Sequence, residues 1–203
     1  MAQITCVEIH VFGYEVPDPE LPAHGAAGVG NLVHRKGGRL PCTRHAVTID
    51  SGDGARGAYV THWVGTPSAL AQTLMLAPHL LGRDPDGREA IYDDLKREVR
   101  GYDRMGHGAF DIALWDLAGK RLGVSVARLL GGFRTRPPTY ASTYHAQDEP
   151  GGLDSPGVFA DYAVACQERG FAGFRIHGWH DGNARREAGT SWACAGRWAM
   201  AGL

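Results

Sequence analysis

The stretch Gly108-Ala-Phe-Asp-Ile-Ala-Leu-Trp-Asp-Leu-Ala-Gly-Lys-Arg-Leu122, with Ser125-Val-Ala-Arg-Leu-Leu-Gly-Gly132 close behind, decides how the chain is read. Apolar residues recur through it at helical spacing, which predicts a helix from about Gly108 to Leu122. A short second helix is predicted from Ser125 to Leu130, stopped by Gly131-Gly132. Phe110 and Trp115, with Trp63 further upstream, are expected in the core. Asp111 and Asp116 resemble a carboxylate pair, but five residues apart on a helix they face different directions, so structural roles are expected for them. Lys120 falls in the last turn, where a cation suits the negative end of the helix dipole.

Upstream, Val7, Ile9 and Val11 alternate with Glu8 and His10, which predicts a half-buried strand over 4–12. Residues 45–50 alternate in the same way. The turn Ser51-Gly-Asp-Gly54 links them to a strand over 57–64, giving a β-hairpin and a small antiparallel sheet. Between the first two strands lies a Gly- and Pro-rich segment from Pro17 to Pro41, with no helix or strand period; loops of that length are functional or disordered. Two more helices are expected, Ser68 to Leu81 (N-cap Thr66, Pro67 at the first position, stop at Gly82) and Arg88 to Arg100, with Ile91, Leu95 and Val99 on one face. Strands followed by helices make an α+β pattern over the first ~130 residues.

Downstream the order changes. A strand over 139–144, a helix from Pro156 to Arg169 with Phe159, Tyr162, Ala163 and Cys166 on one face, and a strand over 173–177 form a β-α-β unit, the building block of a parallel sheet or barrel. Asn183 to Ala188 reads as the first turns of a further helix. Residues 189–203 are mostly Ala, Gly and Trp with Arg197 as the one charge, which is unlike a surface helix with a charged outer face. A shifted reading frame or a premature end after Ala188 is one origin for that tail.

Composition narrows the function. The chain has 203 residues, 43% hydrophobic and 21% charged, a globular make-up. The net charge of −1 offers no basic surplus for nucleic acid. No apolar run approaches the ~20 residues that span a bilayer, and no secretory signal is visible. Four cysteines, Cys6, Cys42, Cys166 and Cys194, form no CxxC pair and read as reduced thiols of a cytoplasmic protein.

Asp111, Ala113, Asp116, Gly119, Lys120, Ser125, Leu129 and Gly131 together resemble the signature of the mandelate racemase/muconate lactonizing enzyme family of the enolase superfamily. Gly170-Phe-Ala-Gly-Phe-Arg-Ile-His177 is similar to the segment that family carries on its second barrel strand. The resemblance covers residues 1 to about 188. It implies an enolase-like N-terminal capping domain (a three-stranded antiparallel sheet plus a helical bundle) over 1–136 and the first β-α-β of an incomplete (β/α) barrel over 137–188, leaving 189–203 as an atypical tail. It also implies Mg²⁺-assisted removal of a proton α to a carboxylate, the metal spreading the developing charge.

In that resemblance Arg175 and His177 stand where the family has Lys-x-Lys. Spacing i, i+2 puts both on one strand face. A histidine's ordinary pKa of about 6.5 suits an acid/base role for His177. Arg175 is too strong a base to deprotonate; it would bind a substrate carboxylate or hold His177 neutral by like-charge repulsion. The departure from Lys-x-Lys favours acid-sugar dehydration over racemisation. Substrate contacts are expected from His24 and His34 in the capping loop and from Ser142 and Tyr144 at the end of the first barrel strand. His177-Gly-Trp-His180 lacks the further ligands of a zinc site.

A barrel takes roughly 250 residues. Starting near Pro137, this chain has room for two strands and the start of a second helix. The family's carboxylate ligands for Mg²⁺ lie on later strands, so no metal ligand is assigned here. The expectation is a truncated family member, enzymatic by descent as a dehydratase (lyase) or an isomerase/racemase, and inactive by itself. Its parent's partner would be a small carboxylate or sugar acid, with self-association or aggregation through unpaired strand edges and exposed apolar surface. The alternative is a non-catalytic binding or dimerisation module built on the capping domain; a small complete metal enzyme using its histidines is the third.

Overall fold

A computed structural model describes residues 2–17, 39–62, 66–102, 104–143, 152–179 and 183–201. The chain forms two compact units, one of Met1–Glu15 with Pro41–Thr135 and the other of Val16–Leu40 with Arg136–Leu203.

The first unit holds most of β1 (Ile4–Pro17) and β2 (Arg39–Ser51) and all of β3 (Arg56–Val60), in the order β1-β2-β3. β2 and β3 are antiparallel, with Ala46 opposite Val60 and Asp50 opposite Arg56. β1 runs antiparallel to β2: Gly52 N donates to Gln3 O (2.8 Å) at one point, and Thr48 Oγ1 donates to Glu8 (3.1 Å) further along. β1 and β2 outrun the alternation that predicted them. Alternation reports a buried face, and Val11 and Phe12 are exposed; backbone pairing needs no such face.

Helix α1 (Thr66–Leu76) passes into a 3₁₀ turn over Ala77–Leu80, where a single helix to Leu81 was expected. Pro78 explains the change: it has no N–H for the Leu74 carbonyl, so the α pattern cannot continue. Gly82 follows in the left-handed conformation, φ +76°. Helix α2 (Arg88–Glu98) buries Ile91 and Leu95, with Val99 just beyond its end, as spaced in the sequence.

Helix α3 (His107–Leu122) is the centre of this unit. It buries Ala109, Phe110, Ala113, Leu114 and Leu117 in one core with Val47 and Ile49 of β2 and Ile4 of β1. It also lies directly on β3. A Cβ on Gly57 would overlap the Ala113 carbonyl and stand 2.6 Å from Leu117 Cβ. β3 is the outer strand, and α3 supplies partners for its backbone. Ala58 N donates to Asp116 Oδ2 (2.8 Å), Lys120 Nζ donates to Arg56 O (3.1 Å), and Lys120 also bonds Asp116 (2.7 Å). An i,i+4 ion pair thus binds both a donor and an acceptor of an edge strand, one way of keeping that edge from pairing elsewhere. Trp115, expected in the core, is instead half-buried under the Arg88 guanidinium, 4.6 Å from its ring centre; Trp63 lies outside the described residues. Helix α4 (Val126–Leu129) begins at Ser125, whose hydroxyl accepts from Arg128 N (3.3 Å).

The second unit holds β4 (Tyr140–Ser142), α5 (Pro156–Glu168), β5 (Gly173–Arg175) and α6 (Ala184–Ala201). β4 and β5 are parallel, Ser142 opposite Arg175, and both are shorter than the runs 139–144 and 173–177 that predicted them. α5 buries Phe159, Ala160, Ala163 and Cys166, while Tyr162 is largely exposed and meets Phe174 edge-on at 5.9 Å. α6 runs unbroken through residue 188 to Ala201. Its inner stripe is Thr190, Cys194 and the partly buried Trp198, four residues apart, packed on α5. Arg197 pairs with Asp161 of α5. The composition that argued against a surface helix is compatible with this one, because Ala is the strongest helix former.

Two outcomes follow for the first unit. Gly57→Ala should destabilise it by about 2 kcal/mol or more through overpacking. Gly108→Ala in α3, where an added Cβ meets nothing within 4 Å, should leave stability unchanged or raise it by up to about 1 kcal/mol; urea denaturation reads both. The second concerns His45 on β2, fully buried with Nε2 3.2 Å from Thr73 Oγ1 and Nδ1 3.4 Å from Thr61 Oγ1. Burial lowers its pKa below the ordinary 6.5. The unfolded chain therefore binds this proton first, and stability should fall as pH drops below about 6.5, by at most about 1.4 kcal/mol per pH unit. Asp50 and Asp53, held below the ordinary carboxylate value by hydrogen bonds from Arg56 and Ser51, lose their contribution only near pH 4 and below. His45→Gln should flatten the profile between pH 5 and 7.

Candidate active site

Parallel strands present their chemistry at their carboxyl ends, and in the second unit that place is the end of β4 and β5. β5 stops at Arg175, so His177 lies two residues beyond the ladder rather than on a strand face with Arg175. Thr143, directly after β4, takes hold of it. Thr143 N donates to Arg175 O (3.2 Å), prolonging the pairing by one bond, and Thr143 Oγ1 accepts from His177 N (2.8 Å). The Thr143 carbonyl stands 2.5 Å from His177 Nδ1, and Ser142 Oγ stands 3.3 Å from the same nitrogen.

A carbonyl oxygen only accepts, so His177 Nδ1 carries a hydrogen and donates it. In the neutral ring the accepting lone pair then resides on Nε2. Backbone control of the tautomer is how an imidazole is prepared to take a proton at one chosen nitrogen. Ser142 Oγ in turn donates to the Thr143 carbonyl (3.1 Å). The Arg175 side chain is exposed and makes no hydrogen bond or ion pair among the described residues.

Of the residues read from the sequence, Ser142 and His177 are therefore brought together. Arg175 shares the backbone register, opposite Ser142. His24, His34 and Tyr144 lie outside the described residues. Thr143 was not singled out in the sequence; its signal was its position between two candidates, Ser142 and Tyr144, at a strand end. Glu187 was missed as well. Its carboxylate accepts from Trp179 N (2.8 Å), two residues past His177.

Among the described residues no three His, Cys, Asp or Glu side chains converge to hold a metal ion. The groups bonded to His177 include the Thr143 hydroxyl and carbonyl and the Ser142 hydroxyl, whereas Mg²⁺ prefers carboxylate oxygens and water.

The model of the mandelate racemase/muconate lactonizing enzyme N-terminal domain matches residues 42–131. Residues 42–131 thus carry the N-terminal domain of that family. The chain is 32% identical over 137 residues to the 3,6-anhydro-alpha-L-galactonate cycloisomerase of Streptomyces coelicolor, an alignment covering 64% of this chain and 36% of that protein. A D-galactonate dehydratase family member of Streptomyces sp. is 38% identical over 108 residues, 49% of this chain and 22% of the relative. In three dimensions the chain superposes on D-glucarate dehydratase of Agrobacterium tumefaciens, a structure complexed with magnesium, with a TM-score of 0.75 and 25% identity over 96% of this chain and 51% of that one. The chain thus spans about half of the solved relative and about a fifth to a third of these curated ones.

Within the mandelate racemase/muconate lactonizing enzyme domain, the signature residues prove to be structural. Ala113 receives Gly57, Asp116 and Lys120 bind β3, and Ser125 caps α4. Gly119 admits the Val124 carbonyl, 2.8 Å from where its Cβ would be. Gly131 is left-handed, φ +95°. Asp111 is half-buried, and that burial raises its pKa.

Long-range ¹H–¹⁵N correlation on the labelled chain at alkaline pH should report the Nδ1–H tautomer for His177. An Nε2–H tautomer would contradict the bond to the Thr143 carbonyl.

Proposed function

We propose that this chain is the capping domain and opening β-α-β of a sugar-acid dehydratase, in which His177 moves the proton α to a carboxylate. The observation that carries the reading is the His177 imidazole at the carboxyl end of β5, its Nδ1–H fixed on Thr143 O at 2.5 Å so that Nε2 is the accepting nitrogen. The relatives named above act on sugar acids or belong to a sugar-acid dehydratase family by their names, which supports that substrate class. In this proposal the exposed Arg175 guanidinium takes the substrate carboxylate, a pairing suited to its planar fork. We propose substrate contacts for Ser142 and for Tyr144, His24 and His34, the last three lying outside the described residues.

Magnesium belongs to the proposed parent reaction, where it would stabilise charge on the deprotonated substrate. The described residues of this chain do not fit it, so the residues that would hold it are not assigned. The 203 residues by themselves are proposed to be inactive. Four free cysteines support a reducing, cytoplasmic setting, and among the described residues no helix is long and apolar enough to cross a membrane. A second reading, a non-catalytic binding or dimerisation module, is favoured by the exposed Trp192 and Met200 on the outer face of α6.

Three measurements test the proposal. Galactonate or glucarate at millimolar concentration should shift the His177 ring signals, neutral sugars should not, and Arg175→Ala should abolish the response. No α-proton exchange into solvent deuterium should be detected with any sugar acid. Millimolar MgCl₂ should leave the melting temperature unchanged, because a ligand stabilises only a native state that binds it. A His177 signal indifferent to every sugar acid would overturn the assigned substrate class; a magnesium-dependent rise of several degrees would overturn the view that this chain lacks the metal site.

A further inference from the structure

We infer that Glu187 is a positioning residue for His177, a role that rests on the acid/base function proposed for that ring. His177 is beyond the end of β5, so the ladder between β4 and β5 does not by itself orient it. From one side it is held by Thr143, through its own N–H (2.8 Å) and its Nδ1–H (2.5 Å). On the far side of the same tripeptide, Glu187 Oε1 accepts from Trp179 N at 2.8 Å. The segment His177-Gly178-Trp179 is therefore gripped at both ends, with the imidazole projecting from the first grip.

Gly178 is what makes the second grip possible. The Glu187 carboxylate occupies the space where a Cβ on residue 178 would be, so any side chain there would drive the carboxylate off the Trp179 amide. A charge-assisted bond of this kind is roughly twice as strong as a neutral one. An acidic residue in the first turn of α6 would be favourable beside the helix N-terminus even if it pointed into solvent; this one reaches another segment instead.

The neighbours fix both partners. Asn183 Oδ1 accepts from Arg186 N (3.1 Å) and Asn183 O accepts from Glu187 N (3.1 Å), which sets the first turn of α6. The Trp179 ring is buried, meets Phe159 edge-on with centroids 5.0 Å apart, and carries the Arg186 guanidinium 3.7 Å from its centre. Arg186 also donates to Asp154 O (3.0 Å). The Trp179 amide that Glu187 binds is thus fixed from its own side chain outward.

The readout is the His177 Nδ1–H resonance and its exchange with water, measured on the whole chain and independent of turnover. Glu187→Ala should lose the resonance or speed its exchange at least tenfold. Glu187→Gln should retain it, because the amide oxygen still accepts from Trp179 N. Gly178→Ala, which leaves Glu187 in place but blocks its seat, should reproduce Glu187→Ala. Arg197→Ala, which removes the α5–α6 ion pair without touching this segment, should leave the resonance unchanged. A wild-type resonance in Glu187→Ala overturns the inference, as does equal loss in Arg197→Ala. Should Glu187→Ala fail to fold, an intact resonance in Gly178→Ala overturns it. An absent sugar-acid response in the wild type counts against the proposed reaction, whereas an Nδ1–H signal indifferent to Glu187 counts against the positioning role.

Discussion

Helix α3 can lie on strand β3 only because residue 57 has no side chain. The backbone of Ala113 and the side chain of Leu117 fill the space that a Cβ would need. Interiors are packed like organic crystals, so there is no slack to absorb a methyl group. With the helix that close, Asp116 and Lys120 are within reach of the Ala58 N–H and the Arg56 carbonyl, and Phe110, Ala113, Leu114 and Leu117 meet Val47 and Ile49 across one core. The edge strand, the central helix and the core of the first unit all depend on that one approach.

A family signature is easily taken for an active site. Here the residues that mark the family brace a scaffold, and the groups proposed for acid/base chemistry sit elsewhere, where two short parallel strands end. There the controlling atoms belong largely to the backbone: the Thr143 carbonyl sets the tautomer of His177, and the Trp179 amide receives Glu187. Main-chain atoms are present at every position, so their selection as partners depends on where the chain passes.

Much of the fold was legible because burial leaves a period. Ile91, Leu95 and Val99 are spaced as they are buried, and the alternation of residues 45–50 reported a strand with one face inward. Where no period existed, the reading failed. β1 exposes Val11 and Phe12, and α6 beyond residue 188 has too few charges to show a polar side, yet both are regular. Pro78 was visible in the sequence, and its consequence, the change from α to 3₁₀, follows from its missing N–H. Trp115 shows the opposite failure: an aromatic residue at a core-like spacing, covered instead by an arginine that no local pattern could place there.

By itself, the sequence determined the element order, the hairpin turn, the apolar stripes of α2 and α5, the family and the candidacy of His177, since each is encoded in local spacing and residue type. Only the tertiary structure decided that β5 ends before His177, that Thr143 rather than Arg175 holds the ring, and that Glu187 crosses from α6 to a peptide beside a glycine. Those are contacts between residues eight to thirty-four positions apart, and their geometry follows from how close packing brings distant segments together, which local periodicity does not record.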